Sequence, residues 1–517
     1  MALSDNSIIN KSDESKILYH HSHIMNVKSI GIDTYRENII FMHADCHVCT
    51  SEGFSALTRL LVKSKGLQII ATLNVVYSDL LKPEEAGLSM EAMKRLQVKD
   101  GDAIDIFHLK PIESLSKVRA KIHGKDLNDS DFSEIITDIV AGHYSNIELA
   151  AFITACAADH LNVNEIIGLT RAMISSAKSM DWGKKMIFDK HCVGGLPGNR
   201  TTPIIVSIVA AAGLVIPKTS SRAITSPAGT ADTIETVTTV DLSLEEIKRI
   251  VEKTGGCLAW GGAVQLSPAD DIIISVEKSL DVDSVGQMVA SVLSKKVAAG
   301  SSHVLIDIPV GETAKIRSQE EALKIEYYFK AVSEKIGLQI EIAITDGSQP
   351  VGKGIGPALE AMDVLAVLRN EASAPADLKD KSARLAGILL ELSGGFMKGT
   401  GYTSALRILE SGAALKKFME ICEAQGGFRE PKKAKFKYEV SSERSGTVKS
   451  IDNRKLARIA KLAGAPKSPS AGLEFNSPIG KKVNVGDVLY TIYTESEGQL
   501  EYVKDYVNNI IDVIKIE

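Results

Sequence analysis

In the N-terminal part of the chain, up to residue 108, apolar and polar positions alternate in short runs, a pattern that predicts β-strands. The clearest runs lie at residues 38–43, 67–75 and 102–107. Residues 88–106 read as a short helix, a tight turn at 99–101 and a strand. This part of the chain is therefore predicted to form a small β-barrel-like domain.

The periodicity becomes helical over residues 112–180. Asn146 stands before one apolar helical stretch and Asn162 or Asn164 before the next, and asparagine is a favoured capping residue at the start of a helix. Over residues 181–427, strands, glycine-containing loops and helices follow one another. This alternation indicates an α/β domain with helices packed on a sheet.

A helical stretch at residues 283–299 interrupts the alternation, and Asp283 is predicted to cap it. A lysine-rich linker at 430–437 leads to the segment GKKVNVGDVLYTIYTES, whose alternating residues predict a final β-rich unit. The whole pattern predicts a multidomain α/β protein.

Composition narrows the classes of function. The chain has 517 residues, enough for several domains, with 60 lysines and arginines, 65 acidic residues and a formal net charge of −5. This balance gives no basic field that would attract a nucleic-acid backbone, and aromatic residues make up only 5% of the chain. We therefore expect a small-molecule partner and no nucleic acid.

Cysteine usage and hydropathy favour a reducing, aqueous compartment. Six cysteines in 517 residues do not make a disulfide framework. The polar N-terminus lacks an apolar signal core, and the longest uncharged apolar run, residues 203–217, is shorter than the roughly 20 residues that span a membrane. We expect a cytoplasmic protein without a membrane partner.

The segment DKHCVGGLPGNRTT, residues 189–202, carries the strongest chemical signal. It joins an apolar strand to an apolar helix, so its glycines let backbone N–H groups approach a ligand and the helix N-terminus points at the same place. Lys190 adds positive charge, and Thr201 and Thr202 add hydroxyl groups. The spacing is not that of a Walker A loop. The segment predicts a phosphate site, the alternative being an ordinary loop between a strand and a helix.

A second loop, TSSRAITSPAGT at residues 219–230, is rich in hydroxyl groups and contains Arg222. Taken alone, it could be a solvated loop with helix-capping side chains. Because it also follows a strand and precedes a helix in the same domain, the two loops together favour a shared anion site.

Two further places could contact a ligand. Ser291 and Lys295 are four residues apart on the predicted helix and share a face with Gln287, although this pattern by itself is more typical of a solvated helix face. Lys315 follows a strand and a glycine, where ligand-facing side chains are common. In contrast, the glycine-rich loop at residues 346–356 favours a hinge or close packing over chemistry.

The segment HADCHVC, residues 43–49, contains residue types that bind metals. Its C-x-x-C has no second pair, however, and structural zinc needs four suitably spaced ligands. We predict no metal site. The sequence also lacks an evident Ser-His-Asp arrangement, an H-E-x-x-H motif and a G-x-G-x-x-G fingerprint.

At DKHCVGGLPGNRTT the chain resembles the thymidine phosphorylase family. The segments PKTSSRAITSPAGTADTIE, ASVLSKKVAAGSSHVLIDIPVG, ITDGSQPVGKGIGPALE and SGAALKKFMEICEAQGG follow in that family's order. The similarity runs from about residue 109 to the C-terminus. The extra N-terminal unit and the segments GGLPGN and SRAITS resemble the long branch of the family, which also contains AMP phosphorylases.

The resemblance implies an all-α domain hinged to a larger α/β domain, and a homodimer. The implied domains are a β-rich domain similar to a double-psi barrel at 1–108, the all-α domain at 109–180 and 268–300, the α/β phosphate-binding domain at 181–267 and 301–429, and a domain similar to an α/β hammerhead at 430–517.

The resemblance also implies roles for individual residues. Phosphate would be held by Lys190, Cys192, Thr202, Ser220 and Thr230. A nucleoside or nucleotide would contact Gly195, Ser221, Arg222, Ala223, Ile224, Thr225, Ser226, Ser291, Lys295 and Lys315. The catalytic candidates are Lys190, His191 and Asp283.

The pattern at these positions differs in part from that of pyrimidine phosphorylases. Cys192 stands where the family usually has a phosphate-binding serine, and Val276 stands where the base site usually has an arginine. His191 would lie beside a pyrimidine base, whereas in the AMP-phosphorylase pattern Asp283 would be the proton donor.

We therefore expect reversible phosphorolysis of an N-glycosidic bond, by default of thymidine, to give thymine and 2-deoxy-α-D-ribose 1-phosphate. The close alternative is AMP phosphorolysis, which gives a free base and ribose 1,5-bisphosphate. No cofactor is expected, because inorganic phosphate is itself a substrate. Alternatives from other classes are a phosphoribosyltransferase of related architecture and a non-catalytic phosphate-binding protein.

Overall fold

The computed structural model describes residues 23–517 except 35–36, 184–185, 224–225, 265, 281 and 283. The chain forms two compact units. The first comprises the described residues of Met1–Ser116 together with Ala141–Ser145, and the second those of Lys117–Val140 and Asn146–Glu517. Within the described ranges, no helix is long and apolar enough to cross a membrane.

The first unit contains a closed β-barrel. Its strands are His23–Ser29 (β1), Ile39–His43 (β2), Arg59–Ser64 (β3), Leu67–Val76 (β4), Glu85–Leu88 (β5) and Ala103–His108 (β6). Around the barrel they are ordered β1, β5, β2, β4, β3 and β6, with parallel pairs β1–β5 and β2–β4. The alternation of apolar residues thus correctly predicted the strands and the barrel-like form.

Short helices at His47–Glu52 (α1) and Met90–Leu96 (α2) complete this unit. Ser89 begins α2 because its side chain accepts the Ala92 N–H. Cys46 and Cys49 lie in the apolar core of the barrel, where the thiol of Cys46 approaches the sulfur of Met25 at 3.7 Å.

The remaining helices and strands follow the barrel in the chain. The helices are Leu115–Ile122 (α3), Asp129–Val140 (α4), Asn146–Ala155 (α5), Val163–Ser175 (α6), Thr201–Ala211 (α7), Thr230–Glu235 (α8), Leu244–Thr254 (α9), Pro268–Leu280 (α10), Val285–Ala298 (α11), Gln319–Ile336 (α12), Pro357–Leu368 (α13), Ala376–Leu392 (α14), Gly401–Glu410 (α15), Ala413–Ala424 (α16), Asn453–Leu462 (α17) and Glu497–Asn509 (α18), with a 3₁₀ turn at Gly261–Ala263.

The remaining strands are Phe188–Cys192 (β7), Ile216–Ser220 (β8), Gly256–Trp260 (β9), His303–Val310 (β10), Gln339–Asp346 (β11), Gly354–Ile355 (β12), Phe436–Ser441 (β13), Gly446–Ile451 (β14), Gly472–Phe475 (β15), Lys482–Val483 (β16), Val488–Thr494 (β17) and Ile514–Ile516 (β18).

A helical bundle forms from two separate parts of the chain. Helix α6 packs against α4 and α11, and α10 packs against α4 and α5. Asn162 caps α6 in a reciprocal arrangement with Glu165. The cap of α11 is Ser284, whose side chain accepts the Gln287 N–H. This corrects the prediction that Asp283 caps this helix; Asp283 itself lies outside the described residues.

The α/β part contains parallel strands ordered β11–β10–β7 and a parallel pair β8–β9. The N–H of Phe188 in β7 donates to the carbonyl of Val215, just before β8, at 2.8 Å. Helix α7 is buried along most of its length in the core of this part. The two polar loops singled out in the sequence therefore follow neighbouring strands, β7 and β8, at the same edge.

The C-terminal part has antiparallel strands ordered β12–β15–β17–β13 and a smaller sheet ordered β16–β14–β18. Its β13 begins inside the lysine-rich segment predicted to be a linker. The loop 346–356 is tightly packed: a Cβ at Gly354 would lie 2.3 Å from the Leu359 carbonyl oxygen, and one at Gly356 would lie 2.5 Å from that of Ala471. This packing supports the structural interpretation of that loop.

Candidate active site

Lys190 lies at the centre of the candidate site, on β7 and almost completely buried. Its Nζ donates to Thr201 Oγ1 at 3.0 Å and lies 3.5 Å from Asp307 Oδ2. Thr201 and Thr202 form the first turn of α7, which has no side-chain cap. A buried positive charge and the N–H groups of a helix start therefore lie together, an arrangement suited to an oxyanion.

Asp307 on β10 forms a buried ion pair with Lys190. Thr345 donates to Asp307 Oδ1 at 2.6 Å, and Lys381 Nζ lies 3.7 Å from Asp307 Oδ2. Burial by itself would raise the pKa of Asp307, but Lys190 and Lys381 outweigh burial and the pKa is lowered. Asp307 is thus an anion that partly neutralises two lysines.

Cys192 stands at the end of β7 beside the glycine loop. Asn199 Nδ2 donates to its sulfur at 3.3 Å, and the sulfur lies 3.8 Å from the Gly194 carbonyl oxygen. Burial, with a further contribution from the charge of Asp307, raises the pKa of this thiol to about 12. Cys192 is therefore a neutral thiol, able to donate a weak hydrogen bond.

Arg200 connects the two predicted loops. This buried residue immediately precedes α7, and its guanidinium donates to Glu360 Oε2 at 2.6 Å, to Thr230 Oγ1 at 2.9 Å and to the Ala228 carbonyl oxygen at 2.9 Å. The structure thus brings Thr230 next to the start of α7, as a shared anion site requires.

Ser220, in the second loop, is the last residue of β8, and its buried Oγ makes no hydrogen bond within the described part of the chain. The loop is held by Asp232, which accepts the N–H groups of Ala223 at 2.6 Å and Gly229 at 2.8 Å. The backbone of Ser221 to Ala223 packs so closely on Gly229 that a Cβ there would lie 2.5 Å from the nearest atom.

Arg222 has its guanidinium paired with Glu235 and stacked 4.8 Å from the Trp260 ring centre. These contacts tie the loop to α8 and the end of β9. Ile224 and Thr225, the next two predicted substrate contacts, lie outside the described residues.

Gly194 and Gly195, in the first loop, lie close to two other predicted substrate-binding residues. Gly194 takes a φ of +123°, a conformation that favours glycine. A Cβ at Gly194 would lie 3.3 Å from Lys315 Cβ, and one at Gly195 would lie 3.8 Å from Ser226 Cβ. The structure therefore places Gly195, Ser226 and Lys315 around one loop.

On the bundle side, Ser291 lines a small cavity of about 10 Å³, room for about one water molecule, together with Asp270, Glu277 and Gln287. The buried Asp270, which lines the cavity with Ser291, pairs with Lys295 at 2.9 Å. Other residues of the cavity wall are Phe152, Leu169, Met173 and Ile273.

The residue that stands in place of the base-site arginine, Val276, is buried. The next residue, Glu277, lines the cavity together with Ser291. Asp283, the alternative proton donor, lies outside the described residues.

His191 follows Lys190 on β7. Burial and the charges of Lys296, Lys218, Lys295 and Lys190 hold its pKa well below the ordinary value. The imidazole is therefore neutral at neutral pH, and one of its ring nitrogens carries a hydrogen that can be donated to a ligand.

Sequence reasoning missed several residues around the site. Asp307, Lys381 and Glu360 are far from the loops in sequence, and only strand pairing and helix packing bring them close. Arg200, in contrast, lies within the motif itself, and its position just before a helix could have indicated that it connects the loops.

Three family models match the chain. The helical bundle domain of a glycosyl transferase family matches residues 116–177, the α/β domain of the same family matches 184–415, and the pyrimidine nucleoside phosphorylase C-terminal domain matches 447–514. A helical bundle combined with an α/β domain of this kind makes the protein a pentosyltransferase.

Among curated relatives, "Putative thymidine phosphorylase" of Hahella chejuensis is 53% identical over 491 residues, covering 95% of this chain and 97% of the relative. Proteins of the same name from Legionella pneumophila strain Paris and Polaromonas sp. are also 53% identical, each covering at least 95% of both chains. The chain belongs to the pyrimidine nucleoside phosphorylase family.

Among solved structures, anthranilate phosphoribosyltransferase (TrpD) from Thermus thermophilus has a TM-score of 0.50 and 19% identity. The similarity covers 60% of this chain and 98% of that protein. At this identity the likeness concerns the fold alone.

Proposed function

We propose that the protein is a thymidine, or pyrimidine nucleoside, phosphorylase. The observation that carries this proposal is the buried Lys190, whose Nζ donates to Thr201 in the first turn of α7. At the end of the neighbouring strand β8, the buried hydroxyl of Ser220 has no hydrogen-bond partner among the described residues. Cys192, Thr202 and Thr230 would complete a cationic site with the hydrogen-bond donors that inorganic phosphate needs.

In the proposed reaction, phosphate attacks C1′ of the nucleoside as the bond from C1′ to the base nitrogen breaks. The sugar passes through an oxocarbenium-like state, and the proton of the hydrogen phosphate finally resides on the base. Lys190 and the two loops orient the nucleophile, which is the main contribution to rate that positioning can make.

The base acquires negative charge as it leaves, and Ser291, Lys295 and His191 would stabilise that charge. Because the pKa of His191 is held so low, the imidazole would act as a neutral hydrogen-bond donor to a base carbonyl oxygen and not as a charged acid. In this interpretation His191 donates a hydrogen bond to the base, and the proton that the base finally carries comes from the phosphate.

A second candidate, AMP phosphorolysis, is favoured by two observations. Val276 stands in place of the arginine of the pyrimidine base site, and Lys315 with Ser226 faces the Gly194–Gly195 loop, where a 5′-phosphate would find a cation and a hydroxyl. In this alternative Asp283 would supply the proton.

The test is to incubate the purified protein with phosphate and a panel of thymidine, uridine, cytidine, adenosine and their 5′-monophosphates, and to measure free base and sugar phosphate. Release of thymine only when phosphate is present supports the proposal. Release of adenine from AMP would replace it with the second candidate, and the absence of base release from every substrate would contradict both.

Other properties belong to the same proposal. We infer that the enzyme needs no metal or organic cofactor, so a chelator should not change its rate; inhibition by a chelator with a diphosphate sugar as substrate would favour a phosphoribosyltransferase. We also propose that the enzyme is a cytoplasmic homodimer. The proposal includes a double-psi topology for the N-terminal domain, a hammerhead-like topology for the C-terminal domain, and domain limits at residues 108, 180, 267, 300 and 429.

A further inference from the structure

Three buried ionisable side chains meet at β7, the strand that carries Lys190. Asp189 on β7 lies 3.0 Å from Lys218 Nζ through Oδ1 and 2.7 Å from Lys296 Nζ through Oδ2. Asp189 is fully buried, and the two lysines are each 5% exposed. We refer to Asp189, Lys218 and Lys296 as the Asp189 triplet.

The members of the Asp189 triplet come from the three elements that carry different parts of the proposed site. Asp189 precedes Lys190 and His191 on β7, Lys218 stands two residues before Ser220 on β8, and Lys296 lies next to Lys295 on α11. The triplet is therefore the place where the bundle helix that would bind the base meets the strands that would hold phosphate.

The end of α11 is also fixed to the chain just before β7. The Met180 N–H donates to the Ala298 carbonyl oxygen at 2.8 Å, and Trp182 Nε1 donates to that of Ala299 at 2.8 Å. Side-chain contacts add to these bonds along the helix, as the Lys295–Asp270 pair shows. The Lys296–Asp189 pair is another such contact.

Stability alone does not account for this cluster. Removing charges from water is costly, and apolar side chains of similar volume often serve a core as well or better. The best-attested benefit of buried ion pairs is that they specify one arrangement of the elements they join. Burial by itself would raise the pKa of Asp189, but the two lysines outweigh it and the pKa is lowered, so the carboxylate is charged.

We propose that the Asp189 triplet positions α11 against β7 and β8 and thereby sets the distance between the base-binding side chains and the bound phosphate. This proposal rests on the proposed phosphorylase function. Lys296 fixes the helix side and Lys218 fixes the strand that ends in Ser220. The members of the triplet are positioning residues, because none of them is placed in contact with substrate.

The proposal predicts different kinetic effects for the two lysines. Lys296→Met should lower kcat by about tenfold or more, because a misplacement of 1 Å can cost about 10²-fold, while the KM for phosphate stays within about threefold. Lys218→Met should mainly raise the KM for phosphate, because Ser220 loses its support. Both are measured on the full-length protein with its best nucleoside substrate and varied phosphate.

Lys121→Met is the matched control. Lys121 and Glu165 form another buried pair, at 2.5 Å, but both lie within the helical bundle. This variant should lose stability in thermal unfolding while its kcat and KM values stay near those of the wild type. It therefore reports what loss of a buried ion pair does by itself.

The outcomes separate this proposal from the proposed function. If the wild type releases no base, the function is wrong. If the wild type is active and folded Lys296→Met keeps its kcat within about threefold, or both lysine variants change kcat and phosphate KM alike, the positioning role is wrong. Should Lys296→Met fail to fold, Lys218→Met decides: an unchanged phosphate KM overturns the proposal.

Discussion

Lys190, Thr202 and Ser220, on the phosphate side of the proposed site, stand where strands end and a helix begins, and all belong to one domain. Ser291 and Lys295, on the base side, project from a helix of the bundle, and Lys295 is 38% exposed in its side chain and paired with Asp270. Backbone geometry thus fixes the phosphate side, whereas the base side depends on side chains and on the placement of α11. Substitutions on the first side should alter phosphate binding, and those on the second should alter rate and the choice of base.

The largest expected effect concerns the proton donor on the base side. If AMP is the substrate, Asp283→Asn should lower kcat by about 10²- to 10⁴-fold, the usual contribution of general acid catalysis, while His191→Gln costs much less. If thymidine is the substrate, His191→Gln should lower kcat by about 10²-fold, because the glutamine amide does not place its N–H where the imidazole N–H would meet the leaving base, and Asp283→Asn should be active. The measurement is kcat for both variants on thymidine and on AMP.

A change in the stability of α11 should not affect this comparison of kcat values. Because Ser284 caps α11, Asp283→Asn removes no cap, and the thermal midpoint of the variant should equal that of the wild type. Full activity of both variants on both substrates would mean that neither residue assists the leaving base.

On the phosphate side, Lys190→Met should raise the KM for phosphate by about tenfold to 10²-fold. The variant loses a charge-assisted contact of about 1.5–3 kcal/mol with the nucleophile. It also leaves Asp307 facing Lys381 alone. The measurement is initial rate against phosphate concentration, with Lys121→Met as the control for loss of a buried lysine elsewhere. An unchanged KM would place the phosphate somewhere other than at Lys190.

Much of the phosphate side could be predicted from sequence because its residues lie in two short segments, each between a strand and a helix. Lys190 and Thr202 lie at the two ends of the segment from β7 to α7, and Ser220 and Thr230 lie at the two ends of the segment from β8 to α8. The supporting charges could not be predicted, because Asp189 and Lys296 are 107 residues apart and meet only through packing of the bundle on the sheet. The cap at Ser284 was missed because aspartate and serine are both good caps and stand next to each other.

A smaller effect should be visible in the pH dependence of stability. His191 is neutral in the folded protein at pH values where an unfolded histidine, with its pKa near 6.5, binds a proton. The unfolded state therefore gains protons as the pH falls below about 6.5, and the folded state is destabilised towards lower pH. Between pH 7.5 and 5.5, the wild type should lose about 1 kcal/mol more stability than His191→Gln in urea unfolding. An equal loss in both proteins would mean that the folded-state pKa of His191 is ordinary.

The smallest effect on kinetics is expected for Cys192→Ser, on the phosphate side of the proposed site. The neutral thiol lies 3.3 Å from Asn199 Nδ2 and 3.8 Å from the Gly194 carbonyl oxygen, and a serine hydroxyl can keep the same two partners. Since a hydroxyl is a stronger donor than a thiol, the KM for phosphate should stay the same or fall by up to about threefold, with kcat unchanged. The same kinetic assay measures both values, and Cys422→Ser, at a buried cysteine on α16, controls for a thiol replaced outside the loop. A loss of activity above tenfold in Cys192→Ser alone would assign the thiol a role of its own, which a serine cannot fill.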